Sequence, residues 1–274
     1  MKRSLRDAVY GTAVGDALGV PFEFGWRGEF ECVDMVGYGT HDKPAGTWSD
    51  DTSMLIATCD SIRAKRGRVD IDDMRARYIS WMEKGRYTPD GQVFDIGTTV
   101  STALIEGTGC KSEKSNGNGS LMRIVPLAFT EATDAEIAAV SAITHAHLIS
   151  VTACIMYVHI ARSLLSGVAL DEAIGRHAIA CEPFGRIRNI ASVPEEQIES
   201  SGYVIHTLEA SLWCLLNTSS YRECVLKAVN LGRDSDTTAC VAGALAGIIY
   251  GFDAIPSEWI DRLRAKEKID RCLF

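Results

Sequence analysis

Two short acidic segments of the chain carry residue types that bind divalent metal ions. Residues 49–52 read Ser-Asp-Asp-Thr and residues 234–238 read Asp-Ser-Asp-Thr-Thr, each at the predicted start of a helix. Capping a helix takes one oxygen acceptor, so each segment has a surplus of carboxylates and hydroxyls. Mg²⁺ and Mn²⁺ take about six oxygen ligands, which Asp, Ser, Thr and water supply. If the segments face each other, their four carboxylates can hold two dications, and bound metal should stabilise the fold.

Two other interpretations compete for these segments. Capping alone is the simpler explanation for either segment taken by itself. The second segment also matches the D-x-D-x-T motif of haloacid-dehalogenase-type phosphatases, in which the first Asp is a nucleophile. That motif follows a buried strand of a parallel sheet, whereas a helical pattern over residues 221–230 precedes it here. The pair of segments therefore favours a metal site over a phosphatase.

Helical patterns dominate the rest of the sequence. Residues 50–66 and 71–85 place apolar side chains at helical spacing, with a glycine at the end of each stretch. Alternating β-branched runs are few, and no stretch has the composition of an interdomain linker. The sequence therefore predicts an all-α fold in a single domain over residues 1–274. Further helices are predicted over residues 3–19, 98–106, 119–129, 134–144, 148–166, 170–180, 203–216, 221–230, 236–250 and 257–272.

A glycine pattern predicts one close contact between helices. Gly243, Gly247 and Gly251 recur every four residues in and after the predicted helix 236–250, which leaves one face of it without side chains. Another helix backbone can approach such a face closely. A membrane dimer contact uses a similar pattern, but the apolar stretch 237–252 is short for a membrane span. We therefore expect tight packing at the centre of a soluble domain.

Charge and composition exclude several kinds of partner. The chain has 28 Lys and Arg against 36 Asp and Glu, a net charge of −8, so binding to nucleic acid is not expected. Its nine cysteines include no C-x-x-C pair, which favours free thiols in a reducing compartment. Residues 137–161 lack acidic and basic side chains, but their three histidines favour a buried helix pair over stable membrane insertion. With no targeting segment apparent, we expect a cytoplasmic protein.

Further motifs occur in a specific order along the chain. They are Gly-Asp-Ala-Leu-Gly at 15–19, Phe-Asp-Ile-Gly at 94–97, Gly-Asn-Gly at 117–119, Ile-Thr-His at 143–145 and the run leading into the second acidic segment at 228–238. With these motifs the sequence resembles the ADP-ribosylglycohydrolase family over nearly its whole length. It is most similar to the dinitrogenase reductase-activating branch, which removes ADP-ribose from arginine. The resemblance implies a compact, orthogonal, all-α bundle with two Mg²⁺ or Mn²⁺ ions at its centre.

The resemblance also implies a set of metal ligands. The chain departs from the family at two positions: Ser49 stands where Thr is usual, which keeps the hydroxyl, and Arg233 stands where many members have a second Gly. The sequence leaves open whether Arg233 contacts substrate or points to solvent. The implied ligands are Ser49, Asp50, Asp51, Asp234, Asp236 and Thr237.

Two carboxylates are implied as catalytic. Asp95 matches the general acid/base of the arginine-directed branch, and Glu23 is the second candidate for that role. Each has a simpler alternative, because Asp95 could cap the helix that opens near Thr98 and Glu23 could be a solvated loop residue. Asp16 is expected to be structural, as a buried acceptor for loop amides.

The remaining implied contacts are to substrate. Backbone amides of Gly117, Asn118 and Gly119 can cradle a diphosphate just before the predicted helix that carries Arg123. A plain Asn-Gly turn is the alternative. His145 is expected to contact the adenosine side, against the alternative of a core histidine. Arg123 is counted with these substrate contacts.

The function implied is a metal-dependent hydrolase that cleaves the N-glycosidic bond between ADP-ribose and arginine on a protein. Its partners would be an ADP-ribosylated protein and free ADP-ribose. One alternative is a hydrolase of O-linked ADP-ribose, either serine-linked or O-acetyl-ADP-ribose. The other is a recognition protein without turnover, which the intact carboxylates argue against.

Overall fold

The computed structural model describes residues 3–274, which form twelve α-helices and no β-sheet. About 61% of the chain is helical. The prediction of an all-α fold is therefore confirmed. The helices are α1 Leu5–Gly19, α2 Asp50–Ala64, α3 Ile71–Lys84, α4 Thr98–Glu106, α5 Asp134–Ser141, α6 Leu148–Leu165, α7 Leu170–His177, α8 Val204–Leu216, α9 Tyr221–Asn230, α10 Ser235–Tyr250, α11 Ser257–Arg262 and α12 Lys266–Cys272.

The helices α1 and α10 form the central pair and pack through glycines on both sides. A Cβ atom on Gly11 would lie 2.2 Å from the carbonyl oxygen of Gly243, and one on Gly15 would lie 2.2 Å from that of Ala239. The expected backbone-to-backbone contact is therefore present. Gly251 does not belong to that face, because it ends α10 with a φ of 91°.

This packing brings the two acidic segments together. A Cβ on Gly19, the last residue of α1, would lie 2.3 Å from the Cα of Asp236 in the first turn of α10. α2 also packs against both α1 and α10. The starts of α2 and α10 therefore meet beside the C-terminal half of α1.

Two predicted helices are wrong in form. Residues 119–129 begin as hydrogen-bonded turns and continue as the 3₁₀-helix Val125–Phe129, because Pro126 has no N–H to donate. The predicted helix 257–272 is divided into α11 and α12. The division falls where the N–H of Arg264 donates to the carbonyl of Gly46, at 3.0 Å, and Ala265 has a φ of 46°.

Among residues 3–274, α6 is the one helix long and apolar enough to cross a membrane, with a mean hydropathy of 1.7. It packs against α5, α7, α8 and α10. The hydroxyl of Tyr157 on α6 donates to the carbonyl oxygen of Val241 on α10, at 2.7 Å. These contacts join α6 to four other helices of the bundle.

Candidate active site

Hydroxyl groups from both acidic segments donate hydrogen bonds to one carboxylate, that of Asp51. The Oγ of Ser49, which caps the start of α2, donates to Oδ2 of Asp51 at 2.9 Å. Thr237 of α10 donates from Oγ1 to the same oxygen at 3.3 Å. Both hydroxyls are buried. The first turns of α2 and α10 therefore face each other, which is the condition under which the two segments could hold metal ions together.

Asp16 of α1 fixes the start of α2. Its carboxylate accepts from the backbone N–H of Ser49 at 2.9 Å and from the N–H and Oγ1 of Thr52 at 3.0 and 2.6 Å. Burial raises the pKa of Asp16 to about 6, while the hydrogen bonds from Thr52 and Ser49 act in the opposite direction. Asp16 is thus a buried acceptor.

The carboxylates around this point form two groups that fit metal ions. One oxygen each of Asp16, Asp51 and Asp236 lie within 4.8 Å of one another, and so do oxygens of Glu23, Asp234 and Asp236. Such clusters of oxygens without competing cations suit hard dications. Asp236 belongs to both groups and therefore links them.

Two buried oxygens in these groups lack any hydrogen-bond partner. They are Oδ1 of Asp51 and Oδ2 of Asp236. A buried carboxylate oxygen without a partner is costly, and a divalent cation would supply the missing contact. Burial and the neighbouring carboxylates raise the pKa values of Asp51 and Asp236 well above the usual range. The residues present therefore fit divalent metal.

Asp50 has a different position from Asp51, although both lie in the first turn of α2. It borders a cavity of about 240 Å³ together with Asp234 and Thr237. Burial, followed by the charges of Asp51 and Asp95, raises the pKa of Asp50 well above its usual range. All six predicted ligands therefore lie at or beside the meeting point of α2 and α10.

Glu23 and Asp95 border the same cavity, and a carboxylate oxygen of each lies within 4.8 Å of the other. Burial, then the charge of Asp95, raises the pKa of Glu23 to about 10, and burial also raises the pKa of Asp95. Glu23 is 4% exposed and so is not a solvated loop residue. Gly97, and not Asp95, is the N-cap residue of α4. The structure therefore excludes both simpler alternatives, a helix cap for Asp95 and a solvated loop residue for Glu23.

His41 is part of this group, although no sequence motif indicates it. Its Nε2 is hydrogen-bonded to Oε2 of Glu23, and its ring lies 5.0 Å from that of Phe94. Ligand atoms of Glu23, His41 and Asp95 lie within 4.8 Å of one another. Burial lowers the pKa of His41. The imidazole therefore holds the side chain of Glu23 in place.

The Gly-Asn-Gly motif holds the site from the other side. Asn118 donates from Nδ2 to Oδ2 of Asp234 and to Oγ1 of Thr207, both at 2.8 Å. Its backbone N–H donates to the carbonyl of Gly202 at 3.0 Å, so this amide is not free to cradle a diphosphate as the sequence predicted. Gly117 and Gly119 do border the cavity. Asn118 instead positions Asp234.

His145 lies directly beneath these glycines. A Cβ on Gly119 would lie 2.9 Å from its Cε1 atom, which explains the requirement for glycine there. His145 borders the cavity, and its Nδ1 is hydrogen-bonded to Oγ1 of Thr144 at 2.8 Å. Burial lowers the pKa of His145 to about 3, so the ring is neutral.

Arg123 does not reach the cavity, contrary to the predicted substrate contact. Its side chain is fully buried, and the guanidinium donates to the carbonyl of Gly119 and, at 2.7 Å, to Oγ1 of Thr144. It also lies 4.8 Å from the ring centre of Tyr78. Arg123 therefore supports the glycine motif from behind, because all of its described contacts lie in the core.

Arg233 points away from the carboxylates. It is exposed, with a φ of 62°, and its guanidinium lies 4.1 Å from the ring centre of Trp26. Its backbone accepts from the N–H of Phe24 at 2.6 Å and donates to the carbonyl of Gly25 at 2.7 Å. Its side chain forms part of the surface beside the cavity.

Comparison of the chain with known proteins shows the family to which it belongs. A family model described as ADP-ribosylglycohydrolase matches residues 1–273. The chain belongs to the ADP-ribosylglycohydrolase family. The implied family resemblance is thereby confirmed, and ADP-ribosyl glycohydrolase activity is supported by the relatives that follow.

Three relatives show how similar this chain is to other members. It is 33% identical to "ADP-ribosylarginine hydrolase Tri1" of Serratia proteamaculans, over 96% of this chain and 76% of the relative. It is 33% identical to "ADP-ribosyl-[dinitrogen reductase] glycohydrolase" of Rhodospirillum rubrum, over 94% of this chain and 90% of the relative. A solved structure described as "ADP-ribosylglycohydrolase-related protein complex" matches with a TM-score of 0.83 and 31% identity, over 97% of this chain and 94% of that one.

Proposed function

We propose that this ADP-ribosylglycohydrolase cleaves the N-glycosidic bond between ADP-ribose and an arginine side chain of a protein, with two Mg²⁺ or Mn²⁺ ions bound. The observation that carries the proposal is the cavity in which Glu23 and Asp95 lie beside Asp50 and Asp234. The names of two relatives, an ADP-ribosylarginine hydrolase and an ADP-ribosyl-dinitrogen reductase glycohydrolase, support this reaction class.

The metal ions would be held where α2 and α10 meet. Asp51 and Asp236 offer the carboxylate oxygens that lack other partners. When bound, such ions supply positive charge that orients vicinal ribose hydroxyls and lowers the pKa of a bound water. The full set of proposed ligands is Ser49, Asp50, Asp51, Asp234, Asp236 and Thr237.

Asp95 is the proposed general acid/base. Hydrolysis of a glycosidic bond passes through a transition state with oxocarbenium character, so a proton must leave the attacking water and reach the departing guanidine nitrogen. Asp95 borders the cavity and can move that proton through a carboxylate oxygen. Glu23, held by His41, is the second carboxyl on this path.

The remaining cavity residues are proposed to hold the substrate. Gly117 and Gly119 keep the floor of the cavity open because they lack side chains. His145, neutral and buried, presents its ring to the same space. Asn118 acts through Asp234, which it positions by a hydrogen bond.

The linkage can be tested directly with defined substrates. A protein that carries ADP-ribose on arginine and a peptide that carries it on serine would be incubated with the enzyme and Mg²⁺ or Mn²⁺, and free ADP-ribose would be quantified. The proposal expects metal-dependent release from arginine and little from serine. Release from serine or from O-acetyl-ADP-ribose in preference to arginine would assign the O-linked reaction instead, and binding of ADP-ribose without release from any substrate would assign a recognition protein.

A further inference from the structure

A second, larger cavity lies directly beside the catalytic one. It is an open groove of about 790 Å³ between the segment Trp26–Arg27, Arg233 and the segment 195–201. The two cavities adjoin along the chain, since Arg233 and Ser201 border the groove while Asp234 and Gly202 border the catalytic cavity. A molecule that extends out of the catalytic cavity on this side therefore enters the groove.

One wall of the groove presents exposed aromatic surface. Trp26, which lines the groove, is 59% exposed, and Phe24, two residues earlier in the chain and outside the groove lining, is equally exposed. Phe24 has a φ of 65°, and its N–H donates to the carbonyl of Arg233. A left-handed backbone at a phenylalanine is energetically unfavourable, so the local hydrogen bonds must hold it there. Large exposed aromatics beside a catalytic centre are typical of a surface that binds a partner.

The facing wall is acidic. Glu195, Glu196 and Glu199 are all exposed on the groove. Glu195 lies 3.5 Å from Nζ of Lys227, and Glu199 lies 3.4 Å from Nδ1 of His206. Within residues 3–274, Glu196 has no ion-pair partner. The wall therefore offers the carboxylate of Glu196 to an incoming cation, beside the partly engaged carboxylates of Glu195 and Glu199.

The guanidinium groups of the two arginines in the groove, Arg27 and Arg233, already contact other groups of the protein. Arg27 directs its guanidinium at backbone carbonyls, including those of Glu195 at 2.5 Å and Leu231 at 3.2 Å. Arg233 lies over the ring of Trp26 at 4.1 Å. Trp26 stays 59% exposed with this guanidinium over its ring, so the indole has further surface for an incoming side chain.

We propose that this groove binds the polypeptide segment around the modified arginine and favours segments rich in lysine and arginine. The inference rests on the proposed function, because it takes the arginine-linked ADP-ribose to be bound in the catalytic cavity. The diphosphate of ADP-ribose carries negative charge and would be repelled by Glu195, Glu196 and Glu199. A cationic segment is attracted to these carboxylates and packs against the exposed surface of Trp26.

Paired peptides test this preference. Two synthetic peptides would each carry one ADP-ribosylated arginine, flanked by four lysines in one and by four glutamates in the other, with ADP-ribosyl-arginine as the small substrate. We expect KM for the lysine peptide to be lower than KM for the glutamate peptide, by about tenfold at low salt, and the difference to shrink as salt is raised. Equal KM values for the two peptides would overturn the inference.

Charge-neutral variants localise the effect to the groove. The double variant Glu196→Gln/Glu199→Gln should raise KM for the lysine peptide about threefold to tenfold and leave kcat and the hydrolysis of ADP-ribosyl-arginine unchanged. The matched control is Glu83→Gln/Glu131→Gln, which removes the same charge from exposed positions outside the groove and should leave KM unchanged. Equal effects of both double variants would show that net charge, and not the groove, sets the preference, and would overturn the inference.

The remaining outcomes separate this inference from the function on which it depends. Hydrolysis of ADP-ribosyl-arginine without a preference between peptides would overturn the groove and leave the proposed function intact. Absence of hydrolysis with all three substrates would overturn both. Sedimentation of the enzyme and of the Glu196→Gln/Glu199→Gln variant adds a third readout, since a change in oligomeric state with no change in KM would assign the groove to self-association instead.

Discussion

Thr237 Oγ1 on α10 and Asp51 Oδ2 on α2 lie 3.3 Å apart, although 186 positions separate the two residues in the chain. This contact joins the two acidic segments at the C-terminal half of α1. The close approach of α1 and α10 makes it possible, because glycines on both helices leave their backbones in contact. The proposed metal site therefore depends on a contact between glycines at the centre of α1 and α10, where none of the proposed ligands lies.

The glycine contact predicts a strong effect of adding one methyl group. Gly11→Ala places a Cβ atom 2.2 Å from the carbonyl oxygen of Gly243, where backbone and not a flexible side chain must move. We expect the free energy of unfolding to fall by about 2–3 kcal/mol in urea titrations. Gly175→Ala in α7 is the control, since no atom lies within 4 Å of its Cβ, and it should leave stability unchanged or slightly higher. Equal stability of the two variants would contradict the packing described.

Removal of metal is expected to destabilise the protein. Without metal, Asp51 and Asp236 are buried among like charges, and each leaves one oxygen without a partner. EDTA should therefore lower Tm, and Mg²⁺ or Mn²⁺ at about 100 times Kd should restore about 2.7 kcal/mol of stability. An unchanged melting curve with EDTA would argue against a metal site between α2 and α10.

Neutralising one proposed ligand should separate metal binding from folding. Asp236→Asn removes one negative charge from both carboxylate groups. In chelated protein we expect its Tm to equal or exceed that of the wild type, because like-charge repulsion falls, while the rise in Tm with added metal is lost. Asp253→Asn, which lies outside these groups, is the control. A full metal-induced rise in Asp236→Asn would remove Asp236 from the ligand set.

Asp95 should be needed for turnover more than for metal binding. Asp95→Asn keeps the shape of the side chain and removes its ability to accept a proton. We expect kcat to fall about 100-fold or more, with the metal affinity measured by calorimetry close to that of the wild type. Asp234→Asn, by contrast, should reduce both quantities. Full turnover by Asp95→Asn would transfer the acid/base role to Glu23.

His41 should affect the reaction through Glu23. His41→Ala removes the hydrogen bond to Oε2 of Glu23 and the contact with Phe94. We expect kcat to fall about 10-fold, as for other residues that orient a functional side chain, while KM for ADP-ribosyl-arginine changes little. His159→Ala, which breaks the hydrogen bond to Asp134 and the stacking on His177 and lies outside the cavity, is the control. A wild-type kcat for His41→Ala would show that Glu23 needs no such support.

The acidic segments could be located from the sequence because their residue types, spacing and position at helix starts are local properties. Asp95 and Glu23 are selected through the family resemblance, because local properties alone leave a helix cap and a solvated loop residue as simpler alternatives. His41 could not be found in this way. Its place depends on a loop that folds back on Glu23, where Oγ1 of Thr40 donates to the carbonyl of Glu23 at 2.6 Å.

Arg123 is the opposite case, a residue that is expected to contact substrate and that the structure places in the core. Arg123 follows the Gly-Asn-Gly motif and is counted with the substrate contacts, but the sequence carries no information on which way its side chain faces. Residues 119–123 form turns in place of the predicted helix, and this directs the guanidinium into the core against Thr144 and Tyr78. Tertiary contacts, which a single sequence does not reveal, determine that direction.

The most direct measurement is a metal titration of chelated enzyme followed by calorimetry and by release of ADP-ribose from an arginine-ADP-ribosylated protein. The account predicts no release in EDTA, binding of two Mn²⁺ or Mg²⁺ ions per chain, and full release once both are bound. Full release in EDTA, with no metal bound, would contradict a reaction centred on the carboxylates of α2 and α10.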